Sequence, residues 1–428
     1  MSEKVINSSQ SRGKGRHHEH PRTRVAFYSH DTMGIGHLRR NLLIAQTLIT
    51  AGQVDSVLLI AGVREASAFC YPYGVDCLTL PALSKTIEGN YVSRSLGISL
   101  RELVCLRRDT IDVALRDYSP AVFIVDKVPR GAQRELEPAL LQLRRMGTKC
   151  VLGMRDVLDN PAAVRREWLV EKNDAAIEEF YDAVWIYSDP KLFDPVQDYA
   201  FSPAVVAKVS YTGYFDQRRR LDFTSDAYDD HLAELLLLPG KLVLCTVGGG
   251  QDGEILARAF ADAPLPSGMN AVLITGPFMP SKVYHKLCRQ TAADPRRHVV
   301  RFLAEPTALI ARADRVIAMG GYNTINEVLS FRKRALVVPR TVPRGEQSIR
   351  AKRLAELGLI DVIQQTKISP TAISSWLERD LGARPSAIDE FDFDGLSRLP
   401  KFFADLPLAR RRTPRRTRQI EEVSNVPS

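Results

Sequence analysis

The chain has little cysteine and uses it without pattern. Its six cysteines stand at 70, 77, 105, 150, 245 and 288, with no CxxC pair and no His at zinc spacing. That excludes a disulfide framework and a zinc ribbon, and leaves small buried hydrophobes of a reducing cytosol. No run of about 18 apolar residues occurs, so no membrane-spanning helix is expected. The first twenty residues are polar, which argues against a signal peptide. No lysine stands where a P-loop needs one, and no DxD-type aspartate pair sits in a loop suited to a metal. No metal and no cofactor are therefore expected.

A surplus of basic charge is also missing from the body of the chain, despite a net charge of +9. Residues 1–24 carry six Lys/Arg against two Glu, and residues 401–428 carry seven against three acids. Nearly all the excess therefore belongs to two tails. A near-neutral body speaks against a nucleic-acid partner. The tails read as solvated segments, or as a peripheral contact with an anionic membrane. The expected location is cytoplasmic, extending to the inner face of the membrane.

What is present is length, 45% hydrophobic residues and repeated strand–loop–helix patterning. Such a chain buries two cores more readily than one. Residues 1–22 have almost no apolar content and form a basic tail. "RVAFYSH", "SVLLIAG", "PAVFIVDKV", "KCVLGMRDV" and "AVWIYSD" read as buried parallel strands separated by helices, an N-terminal Rossmann-like domain over 23–215. The polar stretch within 216–235 reads as a linker. A second series, "KLVLCTVGGG", "NAVLITG", "HVVRFL", "RVIAMGG" and "ALVVPR", makes a second doubly wound α/β domain over 236–380. A return segment over 381–408 and a basic tail over 409–428 follow. Two such domains place a cleft between the carboxyl ends of their strands.

Three glycine loops stand at strand ends. "SHDTMGIGHLRRN" (29–41) brings Gly34 and Gly36 to a helix opened by His37. A helix N-terminus disfavours imidazolium, so His37 stays neutral and able to take a proton; Asp31 and His30 are its local rivals. "TVGGGQDGE" (246–254) matches GxGxxG through Gly248, Gly250 and Gly253. A dinucleotide site needs an acid at the end of the next strand, and that strand ends in Thr275-Gly276. The diphosphate cradle survives and the nicotinamide reading weakens. The third loop, "MGGYNTINE", offers Gly320 and Gly321, a helix N-terminus at Asn323-Thr324, and Glu327 one turn in. Glu327 suits either a ribose diol or a helix-start cap.

From about 241 to 362, and above all in "HVVRFLAEPTALIARADRVIAMGGYNTINEVLSFRKRALVVPRTVPRGEQSIRAKRLAELG", loop, helix, strand and polar loop follow in an order that resembles the donor-binding half of GT-B glycosyltransferases. The likeness is to family 28, that of the enzyme adding N-acetylglucosamine to lipid I, and to a group of predicted bacterial glycosyltransferases. It implies a GT-B fold and a UDP-sugar as co-substrate. It further implies that Phe302 and Leu303 flank the base, and that Gly249, Gly250 and Gln251 approach the diphosphate. Gly321, Tyr322, Asn323 and Thr324 would cover the phosphates, Glu327 would bind the ribose, and Glu346 and Gln347 would meet the donor sugar beside Arg344. His37 falls where the family places a candidate base or phosphate-contacting His. Glu346 stands where the lipid I enzyme has Gln, and Met33 and Ile35 interrupt the first glycine loop. In the acceptor half, "GMRDVLDNP" supplies Arg155, Asp156 and Asp159, as site residues or as a buried Arg–Asp pair.

The leading expectation is transfer of a hexose from a nucleotide donor to the hydroxyl of an unidentified acceptor (lipid, glycan or small molecule), without metal. A UDP-sugar epimerase on the same fold and a non-catalytic nucleotide-sugar-binding protein are the alternatives.

Overall fold

The computed structural model describes residues 23–32, 34–86, 90–224, 230–342, 344–380, 382 and 387–408. Both basic tails and Met33 lie outside them.

The N-terminal half is built on β1 (Arg24–Ser29), β2 (Ser56–Ala61), β3 (Val75–Thr79), a hairpin of β4 (Leu83–Lys85) and β5 (Tyr91–Ser93), then β6 (Val122–Asp126), β7 (Lys149–Arg155), β8 (Ala183–Tyr187) and β9 (Val209–Tyr211). Seven of these strands form one parallel sheet in the order β3-β2-β1-β6-β7-β8-β9. The C-terminal half holds β10 (Lys241–Thr246), β11 (Met269–Ile274), β12 (Arg297–Val300), β13 (Arg315–Ala318), β14 (Arg334–Val337) and β15 (Asp361–Val362). They make a parallel sheet in the order β12-β11-β10-β13-β14-β15. The central strands are unbroken apolar runs because helices cover both faces, which is what a parallel sheet demands. Each half is therefore a doubly wound, Rossmann-like domain. Each has a switch point, between β1 and β6 in one and between β10 and β13 in the other, where a crevice opens beyond the strand ends.

The halves are pinned together by polar contacts and by apolar packing continuous from one to the other. Arg350, in the helix Glu346–Glu356, is paired with Asp156 just beyond β7, its Nη2 2.5 Å and its Nε 2.9 Å from the carboxylate. The backbone N–H of Gly345 donates to Asp159 at 2.8 Å, and the Tyr322 hydroxyl donates to the Tyr187 carbonyl at 2.5 Å. The helix Gly395–Ala404 packs on the helix Gly36–Thr50, and Phe402 lies 6.2 Å from the Trp185 ring.

The segment 216–235 is not the plain solvated linker its polarity suggests. Gln217–Arg220, Leu221–Thr224 and Asp230–Leu236 are short helical elements. Gln217 and Arg220 are buried, because the backbone N–H of Gln217 donates to Ser330 Oγ and Arg220 reaches Glu305 and the Arg39 carbonyl.

Candidate active site

The cleft lies where the two switch points face each other. The loop after β1 enters from one side and the loops after β10 and β13 from the other. A Cβ added to Gly34 would lie 3.7 Å from the Gly249 backbone, so these two glycine loops nearly touch. A Cβ on Gly36 would lie only 2.3 Å from Asn323 Nδ2, and that amide donates to the Gly36 carbonyl at 2.7 Å. A larger residue at 36 would displace the Asn323 amide that ties the halves together here.

His37 opens the helix Gly36–Thr50, and its Nδ1 lies 2.9 Å from Oδ2 of Asp126, the last residue of β6. Arg40, one turn along the same helix, also bonds Asp126. Burial alone would raise the Asp126 carboxyl, but Arg40 and His37 hold it well below the usual carboxylate range. An anionic Asp126 favours the tautomer with the proton on Nδ1 and the Nε2 lone pair free, while Arg40 Nη2 lies 3.2 Å from the same Nδ1. Burial lowers the His37 pKa to about 4, against the opposing pull of Asp126. Desolvation, more than the helix dipole, keeps this imidazole neutral. His37 is 18% exposed and lines the cleft, so a neutral, oriented base faces it.

The rivals are placed differently. His30 also lines the cleft, but it is 5% exposed and its ring sits 5.3 Å from that of His37. Burial, with the nearby His37 and Lys127, drives its pKa well below the usual range. Asp31 is wholly buried and does not line the cleft. It accepts from Ser29 Oγ at 2.5 Å and from the Leu38 N–H at 3.2 Å, fastening the loop to the helix start. Burial raises its pKa to about 7.

On the donor side, Gly248, Gly249, Phe302, Leu303, Gly321, Tyr322, Asn323, Thr324, Glu327, Arg344, Glu346 and Gln347 all line the cleft, as do Gly34, Gly36 and Arg155 across from them. Gly250, Gln251 and Asp156 do not. Gly250 is structural: with φ +89° it is packed so that a Cβ would meet the Thr275 carbonyl at 2.2 Å. Gln251 reaches across to the Lys85 carbonyl. Asp156 is spent on Arg350.

Glu327 lines the cleft but is not free. It is 2% exposed, and Arg39 Nη2 lies 2.8 Å from its carboxylate. Arg39 also bonds Glu305, which pairs with Arg220, so two arginines and two glutamates make one buried cluster at the seam. Glu346 begins its helix and is paired with Arg340 Nη2 at 2.6 Å; burial pushes its pKa up, but Arg340 and Arg155 hold it at about 2. Arg340 also reaches Asp252 at 2.9 Å. Arg344 bridges to Glu167 of the other half at 2.9 Å.

Asp126, Arg39, Arg40, Lys85, Lys127, Arg340 and Asp252 are polar groups of this region that the motifs did not single out. Asp126 was within reach: "FIVDK" ends a buried strand at a sheet's carboxyl edge, where ligands bind. Arg39 and Arg40 follow His37 directly in "HLRRN", one turn away on a shared helix. Among the described residues, no group of three or more His, Cys, Asp or Glu is placed to hold a metal. None of the described helices is long and apolar enough to cross a membrane.

Two doubly wound domains meeting at such a cleft define the GT-B architecture, and comparisons with known proteins agree. Residues 243–387 match the glycosyltransferase family 28 C-terminal domain. An "uncharacterized glycosyltransferase" of Methanosarcina mazei is 23% identical over 313 residues, covering 70% of this chain and 75% of the relative. Among solved structures, a putative UDP-N-acetylglucosamine 2-epimerase from Listeria monocytogenes superposes with a TM-score of 0.58 at 14% identity, covering 89% of this chain and 95% of the other. A UDP-glucose:anthocyanidin 3-O-glucosyltransferase in complex with UDP gives 0.51 at 14% identity, covering 90% and 95%. These structural likenesses establish the fold. The chain has the GT-B fold, and most of its second half matches the family 28 C-terminal domain.

Proposed function

We propose that the protein transfers a hexose from a UDP-linked donor to an acceptor hydroxyl in the interdomain cleft, without a metal ion. The observation that carries this reading is the His37–Asp126 pair, a neutral base backed by a fixed carboxylate, facing the glycosyltransferase family 28 half. His37 Nε2 takes the acceptor proton as the hydroxyl attacks the sugar carbon. Asp126 holds the ring and offsets the charge it gains. On the donor side, the Gly321 loop and the N-terminus of the helix Tyr322–Ser330 face the cleft, where N–H groups stabilise a departing diphosphate. Phe302 and Leu303 supply apolar contact for the base, and Glu327 takes the ribose hydroxyls once Arg39 releases it. Glu346 and Gln347, beside Arg344, face the sugar.

The test is turnover of a panel of UDP- and TDP-sugars with and without hydroxyl acceptors, in the presence of EDTA. Transfer or hydrolysis with UDP-sugars, unaffected by the chelator, is expected. A new sugar epimer formed without any acceptor would instead favour the epimerase. Tight UDP binding with no turnover on any acceptor would favour a sensor.

A further inference from the structure

Three cations that line the cleft, Lys85, Lys127 and Arg155, have no ion-pair partner among the described residues, and two of them stand at neighbouring strand ends. Lys127 follows the last residue of β6, and Arg155 ends the neighbouring β7; both line the cleft. The other cleft arginines each meet a carboxylate: Arg39 with Glu327, Arg40 with Asp126, Arg340 with Glu346 and Arg344 with Glu167. Among the described residues no carboxylate lies within ion-pair distance of Lys127 or Arg155, and Arg155 Nε is buried without any hydrogen-bond partner. Both residues are half-buried, and Glu346 across the cleft acts on their charges only from beyond ion-pair distance.

The backbone adds a second, independent observation. Lys127 has φ +72°, and the Val128 N–H donates to the Asp126 carbonyl at 2.9 Å across it. That is a γ-turn of the rare positive-φ kind, costly for a non-glycine residue. It is held in place because the Lys127 N–H donates to the Gly153 carbonyl at 2.8 Å, on the strand that ends in Arg155. The chain therefore keeps a strained lysine one residue after the carboxylate that orients His37.

We propose that Lys127 and Arg155 form an anion subsite for the acceptor, binding a carboxylate or phosphate carried by the molecule whose hydroxyl His37 deprotonates. The assignment to the acceptor rests on the transferase reading. The pair belongs to the N-terminal half and shares its strand-end row with Asp126, whereas the donor's diphosphate is met by the opposite half. Burial, helped by Arg344 and Arg155, depresses the Lys127 pKa well below the usual lysine range, and burial brings Arg155 down to about 10. The two half-buried cations repel each other, and an anion between them offsets that repulsion. Lys127 also borders a smaller groove with Leu158, Val164 and Trp168, which gives the anion's carrier an apolar wall.

The test is calorimetric titration of the full chain with inorganic phosphate, and separately with acetate, after saturation with UDP. Phosphate should bind the UDP-saturated protein. Lys127→Gln and Arg155→Gln should each weaken that binding about tenfold or more, the worth of one charge-assisted hydrogen bond, and leave UDP affinity within about twofold. Neither residue makes an ion pair among the described residues, so the Tm of both variants should stay close to that of the wild type, which separates lost binding from lost folding. Unchanged anion affinity in the double variant overturns the subsite. If UDP displaces phosphate, and the variants weaken UDP equally, the pair serves the donor diphosphate and the proposal fails. It also fails if the variants selectively weaken UDP-glucuronate against UDP-glucose, because the anion is then the donor sugar's. A wild type that binds no UDP defeats the transferase reading alone, and phosphate titration of the unsaturated protein still decides whether the two residues hold an anion.

Discussion

Arg39 of the N-terminal half sits 2.8 Å from the Glu327 carboxylate of the C-terminal half. Under the proposed function Glu327 receives the ribose, yet a guanidinium from across the cleft already holds its carboxylate. Donor binding must exchange one partner of Glu327 for another, and Glu305 and Thr307 are at hand to keep Arg39 satisfied.

Glu327→Gln should therefore act twice. It should weaken UDP binding by about 1–3 kcal/mol, since ribose hydroxyls lose a charged acceptor. It should also lower stability by about 1–3 kcal/mol, because a buried ion pair loses its anion, a larger effect than a helix-start cap gives. UDP titration and thermal denaturation of the same preparation check both. A destabilised variant with wild-type UDP affinity would reduce Glu327 to a strut for Arg39.

His37→Ala should lower turnover by about 10²–10⁴-fold while leaving UDP affinity nearly unchanged, since the nucleotide is held by the other half. The pH profile carries a sharper test. Burial brings the His37 pKa from an ordinary 6.5 to about 4, so the proton-accepting form persists above that value and activity falls as pH drops through it. An acid limb of kcat/KM near pH 4 is expected, and one near 6.5 would contradict the assignment. Asp126→Asn removes the charge that holds the His37 pKa up, so the limb should move lower still as turnover drops. A purely structural Asp126 would not shift it.

Much of this architecture is legible in the sequence because parallel strands covered on both faces are unbroken apolar runs. β1, β2, β6, β7, β8 and the strands from β10 to β14 stand out for that reason. β3, the β4–β5 hairpin, β9 and β15 do not, being short, partly exposed and placed at an edge or outside the main sheets. In the candidate site, glycine loops at strand ends mark where the cleft lies. The partnerships are invisible, because Arg39 with Glu327, Arg350 with Asp156 and His37 with Asp126 join residues far apart in the chain. Lys127 is hidden for another reason: a positive φ at lysine has no signature in the sequence.

Asp31→Asn should stabilise the protein more at pH 8 than at pH 5. The folded pKa of Asp31 is raised from 3.8 to about 7, so stability falls as pH rises past the unfolded value of 3.8 and the loss is complete above about 7. Asparagine keeps both local contacts, accepting from the Leu38 N–H and donating to Ser29 Oγ, without a charge to bury. A gain at pH 8 that exceeds the gain at pH 5 by about 1–3 kcal/mol is expected from urea denaturation at the two values. Equal effects at both would show that Asp31 is ionised throughout.

The Arg350–Asp156 pair should behave as a rivet between the halves. Both side chains are at most 2% exposed, and Tyr214 also donates to Asp156. Asp156→Ala leaves a buried guanidinium with only the Gly320 and Val157 carbonyls, so a loss of about 3–5 kcal/mol is expected. Arg350→Met alone strands the Asp156 carboxylate and should cost a similar amount. The double variant Asp156→Leu/Arg350→Met removes both charges and should recover most of the loss, because well-packed apolar groups often replace a buried pair at little net cost. Stability is only half of the expectation. The pair sets the spacing of the strand-end loops that carry Arg155 on one side and Glu346 on the other. The double variant should therefore fold with near wild-type Tm yet show a raised KM for donor and acceptor together. Wild-type kinetics in a fully stable double variant would show that the pair holds the halves together without positioning the site.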